Sequence, residues 1–481
     1  MYVRKLSLLS VILLTGILQL KAQISQTAVG LWLGNLVVNE SVSIRLGFEV
    51  SEAKSGELQA IFHSLDQGAF DIPVKSTRLY TDSIFLNIEV LDAKFSGRFA
   101  DSLNIAGIFA QRKGRGIDLT LTRVSEFPVK KPKRPQEPQR PYPYTEELVE
   151  VKIMEAEGVT LAGTLTIPQG EGPFPAVILI SGSGPNDRDA TIFGHKVFLV
   201  LADYLTRNGI AVLRADDRGA NESTGDFHSA DIVTLGNDVI ALFYFLKNHN
   251  KICADKIGVL GHSLGANIAP VATVNENQIA FAVLLAGSAE SLAAGMLEQS
   301  EIIYKQFGVS DAGIALNAKY LHAVFEIVRQ DIDLENAKKQ FYHFREDFEK
   351  ELEVLSEEDL EILELKPPLS ARIIREFMTP AMKKDLFMEP GDYLKLMKCP
   401  TLILNGDKDV QVPLRHLYLS HDLIMSNGNK QVTAKKFVNK NHLFQSSETG
   451  KIDEYKEIEE TMSPEVLEFI ANWILNTGNN K

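Results

Sequence analysis

The feature that most constrains the fold is a glycine-flanked serine that joins a strand-like run to a helix start. Apolar residues up to Leu260 run into Gly-His-Ser-Leu-Gly at 261–265, and small residues follow. This G-x-S-x-G pattern, set between a strand and a helix, holds a serine out of the backbone at a strand end. We expect a Cβ at Gly261 or Gly265 to collide with neighbouring backbone. Ser263 is therefore the candidate nucleophile.

From residue 145 onwards, strand-like segments alternate with helical ones. A hairpin is predicted over 147–167, and helical periodicity is found over 196–207 and 230–248. Further apolar or β-branched runs predict the strands Ala176–Ile180, Ile210–Ala215, Ile257–Leu260, Phe281–Leu285, Thr401–Leu404 and Thr433–Phe437. The alternation indicates a mainly parallel sheet with helices on both faces.

One region interrupts the alternation. The residues at about 287–398, between two predicted core strands, have helical patterns throughout. The predicted helices are Ala289–Phe307, Ser310–Gln330, Asp333–Leu355 and Ser370–Phe377. An insertion of this length at the strand ends is typical of a cap over a site.

The segment before residue 145 has a different character. Residues 24–124 contain short alternating runs separated by turn residues, which predicts an all-β antiparallel domain, either a sandwich or a small barrel, with Trp32 inside it. Residues 125–144 are rich in proline and basic residues and are expected to form a semi-rigid linker. A basic binding tail is the sharper alternative for this segment.

The first residues are typical of an export signal. Arg4 and Lys5 precede an apolar run, and a small residue, Ala22, makes 1–22 a predicted signal peptide. An uncleaved anchor is the alternative, although the run is short for a span of about 20 residues. We expect an exported protein, periplasmic or extracellular, with no stable membrane span after cleavage.

Composition and charge limit the partners. A formal net charge of −13 makes nucleic acid an unexpected partner. Cys253 and Cys399 have no metal-site spacing and are interpreted as packing residues, with a single bridge between them left open. No phosphate-binding motif is complete, so neither a cofactor nor a metal is expected. The sequence leaves the oligomeric state undetermined.

A serine nucleophile needs a base and an orienting acid, and in this strand–turn–helix setting they follow in the order acid, then histidine. After the strand at 401–404, Asp407 and Asp409 compete for the acid; Asp409 is favoured, and Asp407 is expected to brace the turn. The base is predicted to be His442, in the loop after the last strand. His262 is excluded because a side chain next to the nucleophile points away from it.

The oxyanion formed during attack needs backbone N–H donors. One is expected from Leu264, directly after the nucleophile. The other is expected in the glycine-containing loop after the strand at 176–180, from Ser183 or, as the alternate, Gly184.

Together these segments resemble the α/β-hydrolase superfamily, in particular bacterial exported esterase-like hydrolases with an extra N-terminal β domain. The segments that carry the resemblance are 181–189, 217–227, 261–265, 405–409 and 441–445. The resemblance implies a mostly parallel eight-stranded sheet and cofactor-free hydrolysis through an acyl-enzyme. The chain departs from many relatives at Ser181, where they carry histidine, and at Ala220-Asn221.

The sequence thus predicts hydrolysis of a small-molecule acyl ester by Ser263, His442 and Asp409. A peptidase or amidase with the same residues is the nearest alternative, and an acyl thioesterase is a weaker one. The N-terminal β domain is a candidate binding module. The cap and the β domain, rather than the glycine-flanked turn, are expected to determine the substrate.

Overall fold

The computed structural model describes residues 28–477, apart from 39–42, 54, 81, 112–113, 115, 130–132 and 155. The predicted signal peptide at 1–22 lies outside the described residues. The chain divides into two compact units, residues 1–133 and 134–481. This boundary falls inside the segment 125–144 that the sequence analysis assigned to a linker.

The first unit is built on one nine-stranded antiparallel sheet. Its strands are β1 Gly30–Val37, β2 Ser43–Glu52, β3 Leu58–Ser64, β4 Ala69–Pro73, β5 Ser76–Leu79, β6 Ser83–Ile88, β7 Ala93–Phe99, β8 Asn104–Gln111 and β9 Ile117–Val124. Their order is β4-β3-β2-β1-β9-β8-β7-β6-β5.

This sheet curls around an apolar core. Alternate side chains such as Phe48, Phe62 and Phe95 are buried on one face, as a period of two residues requires. Trp32 is fully buried among them, as the sequence predicts. Strands β3 and β5, at opposite ends of the strand order, contact each other. Of the two predicted arrangements, the described residues therefore approach the small barrel rather than the two-sheet sandwich.

The second unit contains a mostly parallel sheet of eight strands. Its strands are β10 Thr145–Lys152, β11 Thr160–Ile167, β12 Phe174–Ile180, β15 Ala211–Ala215, β16 Ile252–His262, β17 Ala282–Leu285, β18 Thr401–Gly406 and β19 Val432–Phe437. The order is β10-β11-β15-β12-β16-β17-β18-β19, and every pairing from β15 to β19 is parallel. A short ribbon, β13 Thr191–Ile192 and β14 His195–Lys196, lies outside this sheet.

Helices cover both faces of the eight-stranded sheet, as predicted. On one face pack α1 Val197–Arg207 and α12 Pro464–Thr477. On the other face pack α2 Ile232–Lys247, α3 Gly265–Asn275 and α11 Arg415–Ser426. Since both faces are covered, the central strands are buried on both sides and consist of continuous apolar runs.

The predicted helical cap is also present, between β17 and β18. It consists of α4 Leu292–Gln306, α5 Asp311–Arg329, α6 Leu334–Glu351, α7 Glu357–Ile362, α8 Arg372–Phe377, α9 Pro380–Asp385 and α10 Pro390–Leu396. The cap has its own apolar core, in which Val324, Phe341 and Ile374 are fully buried. None of the described helices has the length and apolar character that crossing a membrane requires.

Candidate active site

Ser263 lies on the sharp turn between β16 and α3. Its φ of +56° is in the left-handed region, which is strained for a residue with a Cβ. A Cβ on Gly261 would lie 2.0 Å from the Gly265 carbonyl oxygen, and one on Gly265 would lie 2.1 Å from that of Ile180. The expected collision at both glycines is therefore confirmed, and the turn can form only with glycine at these two positions.

Asp409 and His442 meet at the ends of the neighbouring strands β18 and β19. His442 Nδ1 lies 2.8 Å from Asp409 Oδ2. The other carboxylate oxygen of Asp409 accepts hydrogen bonds from the Gln411 and Val412 main-chain N–H groups, each at 2.9 Å. With a carboxylate as acceptor, Nδ1 carries the proton and Nε2 presents its lone pair. The pair is buried, with exposures of 7% for Asp409 and 4% for His442.

Asp407, the competing aspartate, makes a different contact. Its Oδ1 accepts a 2.7 Å hydrogen bond from the main-chain N–H of Asn439, at the start of the loop that carries His442. Asp407 thus braces this loop, while Asp409 contacts the imidazole itself.

His262 connects the nucleophile turn to the histidine loop. Its Nε2 lies 2.9 Å from the His442 carbonyl oxygen, and the two rings are 4.9 Å apart between centroids. Because a carbonyl only accepts, Nε2 of His262 carries the proton. Burial, followed by the nearby His442, lowers the pKa of His262 to about 4, so its imidazole is neutral at pH 7. The His262 side chain therefore binds the main chain of the loop that carries His442.

The loop after β12 lies directly against the nucleophile. A Cβ on Gly182 would come within 3.4 Å of the Ser263 Cβ. The Asn186 side-chain amide lies 3.2 Å from the carbonyl oxygen of Gly182, 3.3 Å from that of Ser183 and 2.7 Å from that of Gly184. Sequence reasoning did not single out Asn186, although its position two residues after the glycines is a usable signal.

The Asn186 contacts decide where the N–H groups of this loop point. The C=O and N–H of a trans peptide point in opposite directions. With the Gly182 carbonyl turned to Asn186, the Ser183 N–H of the same peptide points away from Asn186. The Ser183 carbonyl also faces Asn186, so the Gly184 N–H of that peptide points away from Asn186 as well. Leu264, the other expected donor, stands directly before the first residue of α3, where helix N–H groups have no intrahelical acceptor.

A partly buried carboxylate, that of Asp217, binds this loop. The Ser181 hydroxyl lies 2.7 Å and 2.9 Å from the two Asp217 oxygens, and the Asn186 main-chain N–H donates to Asp217 at 2.9 Å. Burial raises the pKa of Asp217 to about 6. At the position where many relatives carry histidine, this chain has Ser181, whose hydroxyl is hydrogen-bonded to Asp217.

Buried ion pairs hold the two loops that carry the resemblance, 181–189 and 217–227. Arg188 Nη2 lies 2.5 Å from Asp216 Oδ2. Arg218 Nε lies 2.7 Å from Asp238 Oδ2, with both side chains buried. Guanidinium forks pair with carboxylates in fixed planar geometry, so these contacts set the loop positions. The Asp and Arg residues of both segments are the sequence signal for these ion pairs.

Tyr455 is a further residue that the sequence did not indicate. Its side chain is fully buried. Burial, followed by the charge of Asp409, raises the pKa of Tyr455, so the phenol is neutral. Its hydroxyl lies 3.4 Å from the Gln411 side-chain amide.

The polar contacts that join the cap to the rest of the second unit include two that involve carboxylates. At one, Arg415 of α11 bridges Glu290 and Glu298, and His416 Nε2 lies 2.8 Å from Glu298. Glu290, Glu298 and His416 are the one group among the described residues whose ligand atoms are close enough for a metal. The Arg415 guanidinium already pairs with both carboxylates, so the cluster is an ion-pair network. At the other contact, the Asp385 carboxylate accepts a 3.0 Å hydrogen bond from the Ile232 N–H.

The strand order, the strained serine turn after β16 and the late loops that bring an acid to a histidine define the α/β-hydrolase fold. Residues 195–325 match the family described as Hydrolase_4, serine aminopeptidase, S33. This stretch includes Ser263 and ends before Asp409 and His442.

The chain is also similar to individual proteins. Esterase EstD from Thermotoga maritima is 32% identical over 203 residues, which are 42% of this chain and 48% of that protein. The chain therefore spans about half the length of this curated relative. Est1E from Butyrivibrio proteoclasticus, solved with ferulic acid, has a TM-score of 0.39 and 17% identity, covering 68% of this chain and 98% of that one. An esterase of Pyrococcus furiosus has a TM-score of 0.40 and 17% identity, covering 69% and 92%. With TM-scores this low, neither structure informs the substrate.

Proposed function

We propose that the chain is a serine hydrolase that cleaves carboxylic esters through an acyl-enzyme intermediate. The observation that carries the proposal is the 2.8 Å contact between Asp409 Oδ2 and His442 Nδ1, which assigns the proton of the neutral imidazole to Nδ1 and the lone pair to Nε2. The strained turn at Ser263 and the His262 contact to the His442 carbonyl, 2.9 Å long, bring the nucleophile turn and the histidine loop together.

In the proposed reaction, His442 Nε2 takes the proton from Ser263 as Oγ attacks the ester carbonyl. Asp409 holds the imidazole in the required tautomer and stabilises the imidazolium. His442 then protonates the leaving alcohol as the C–O bond breaks. Water attacks the acyl-enzyme with His442 again as base, and the acid leaves with Ser263 regenerated.

The developing negative charge on the carbonyl oxygen requires N–H donors that are already in place. We assign them to Leu264 and Ser183, with Gly184 as the alternate to Ser183. The contacts of Asn186 and Asp217 with this loop support the assignment, because they hold its carbonyls away from the reaction centre. No cofactor or metal is part of the proposed reaction.

An aminopeptidase-like amidase is the second candidate, and one observation favours it. The family that matches 195–325 is described as serine aminopeptidase, whereas the relative at 32% identity is named an esterase. Both reactions use the same residues, so only the leaving group distinguishes them. We favour the ester because a named relative is an esterase.

A labelling experiment combined with a substrate panel tests the proposal. The full chain is treated with a fluorophosphonate probe, and its hydrolysis of p-nitrophenyl acyl esters is compared with that of aminoacyl p-nitroanilides. We expect labelling at Ser263, turnover of short-chain esters and loss of both in Ser263→Ala. Ester turnover by a folded Ser263→Ala protein would refute the mechanism, and turnover of anilides alone would favour the amidase.

Export remains a proposal drawn from the sequence. We infer cleavage after Ala22, on the charged start, the apolar run and the small residue at that position. Determining the N-terminus of the protein from a cell that exports it tests this, and an intact Met1 would contradict it. The β domain is retained as a candidate binding module, to be tested by binding of the full chain to envelope glycans.

A further inference from the structure

We propose that Arg134, in the segment predicted to be a linker, is a positioning residue for His442. Its guanidinium joins two segments that pack around Tyr455, and Tyr455 is linked to Asp409 of the Asp409–His442 pair through Gln411. This inference rests on the proposed function, because it assigns importance to the position of His442.

Arg134 donates to carbonyl oxygens of two segments that are far apart in the sequence. In the segment after the His442 loop, Arg134 donates to the carbonyl oxygens of Ile458 at 3.0 Å and Lys456 at 2.9 Å. In the turn between β13 and β14, it donates to the carbonyl oxygens of Phe193 at 3.1 Å and Gly194 at 3.2 Å. A guanidinium has five donors in a rigid fork, so a single side chain can satisfy all of these acceptors.

Tyr455 lies where these two segments meet. It directly precedes Lys456, and its ring meets the Phe193 ring edge to face at 5.8 Å between centroids. Arg134 therefore holds the main chain on both sides of the Tyr455 ring. The Tyr455 hydroxyl lies 3.4 Å from the Gln411 side-chain amide, and the Gln411 main-chain N–H donates to Asp409 at 2.9 Å. A shift of Tyr455 therefore reaches the acid–base pair through Gln411.

A second set of contacts ties the same segment to the His442 loop. The Gln445 side-chain amide donates to the Glu460 carbonyl at 2.9 Å, and the Gln445 main-chain N–H donates to the Asn441 side chain at 3.0 Å. Gln136, two residues after Arg134, accepts from the Thr461 N–H at 2.5 Å. Residues 456–462 are thus bound by Arg134 and Gln136 on one side and by the histidine loop on the other.

Loss of Arg134 should affect the site because carbonyl groups that lose their hydrogen-bond donor cost free energy. Removing the guanidinium leaves several partly buried acceptors without their donor, and the main chain must move to find new partners. Displacement of a reacting group by about 1 Å can lower a rate about 100-fold, whereas a loose surface segment would cost little activity. We therefore expect the loss of Arg134 to reduce turnover more than substrate binding.

The test uses the full chain with Arg134→Ala, Arg134→Lys and the control Arg140→Ala. Arg140 lies on the same segment, is exposed and pairs with Glu146 at 2.6 Å. For a short-chain p-nitrophenyl ester we expect kcat to fall about 10- to 100-fold in Arg134→Ala, with KM changed less than about threefold. Arg134→Lys should recover part of the loss, and Arg140→Ala should match the wild type.

Two further readouts separate positioning from general destabilisation. Active-site titration with a fluorophosphonate gives kcat per competent site, and the acid limb of the kcat/KM pH profile reports the environment of the base. We expect kcat per titrated site to fall and the acid limb to move in Arg134→Ala. A folded Arg134→Ala protein with kcat within about twofold of the wild type would overturn the proposal. So would a loss explained entirely by fewer titratable sites. Failure of the proposed function would instead show as an unlabelled Ser263 in the wild type.

Discussion

Nε2 of His262 donates a 2.9 Å hydrogen bond to the main-chain carbonyl of His442. The residue next to the proposed nucleophile thereby holds the residue proposed as its base. The bond links the end of β16 to the loop after β19, although 180 residues separate them in the chain. Burial lowers the pKa of His262 to about 4, so the imidazole that donates this bond is neutral at pH 7.

This contact yields the first prediction. His262→Ala removes the donor and leaves a buried carbonyl unpaired, so we expect kcat to fall about tenfold or more with little change in KM. His262→Gln, whose amide can also donate, should lose less. His228→Ala, at an exposed histidine, is the control. Equal kcat in His262→Ala and His228→Ala would show that the bond does not position the base.

The two aspartates of the β18 loop should respond differently to loss of charge. Asp409→Asn allows the imidazole to adopt the wrong tautomer and should lower kcat about 10,000-fold, as for acids in this role. Asp407→Asn keeps an oxygen that can accept from the Asn439 N–H, so we expect less than about a tenfold change. Steady-state kinetics of both variants on one ester checks this. A larger loss in Asp407→Asn would reverse the assignment.

The orientation of the N–H groups in the loop that carries Ser183 should depend on the side chain of Asn186. Asn186→Ala frees three carbonyls and lets the N–H groups turn, so we expect kcat to fall toward the roughly 100-fold that loss of one oxyanion donor costs. Asn208→Ala is a matched control, because this exposed asparagine also donates to a carbonyl, that of Tyr204, at 2.8 Å. The rate of labelling of Ser263 by a fluorophosphonate, which also develops charge on oxygen, should fall in parallel with kcat. Unchanged labelling in Asn186→Ala would argue against a role in the oxyanion site.

Asp217 predicts a pH dependence of stability. Its pKa is raised in the folded state from 3.8 to about 6. As the pH rises from about 4 to 6, the unfolded chain ionises at this position while the folded protein resists, so Asp217 lowers stability across that window. Asp217→Asn lacks this penalty, and its Tm relative to the wild type should increase from about pH 4 to about pH 7.5.

The comparison for Asp217→Asn is Asp331→Asn, at an exposed aspartate. Its Tm difference from the wild type should be the same at both pH values. An identical Tm difference for Asp217→Asn at both pH values would contradict a raised pKa. Activity is expected to fall in Asp217→Asn at either pH, because the amide places an uncharged NH2 group where the carboxylate offers Ser181 a second oxygen.

Much of the second unit could be predicted because its signals are local. A buried parallel strand needs an apolar run, a crossover needs helical periodicity, and the turn at Ser263 needs glycine at 261 and 265. The first unit was harder, since the strand-like runs of its sequence, at 42–50, 58–62, 84–90, 95–100, 102–110 and 117–124, leave out β1, β4 and β5. These strands are short or glycine-containing, and their pairing depends on partners elsewhere in the chain.

Residues 134–144 show where local signals mislead. Proline and basic residues are typical of a solvated linker, yet Arg134 binds four carbonyls of the second unit. The local sequence does not distinguish an arginine that faces solvent from one that pairs with carbonyl groups of the fold. Only the fold places the carbonyls of Phe193 and Ile458 side by side.

The sequence by itself determined the type of sheet, the helical cap and the candidate residues Ser263, Asp409 and His442. It could do so because backbone sterics and hydrophobic burial leave a regular local pattern. Tertiary structure decided which aspartate contacts His442 and how Asn186, Asp217 and Tyr455 surround the site. Those contacts join residues from different strand ends, and their distances are set by the packing of the whole sheet, which no local pattern records.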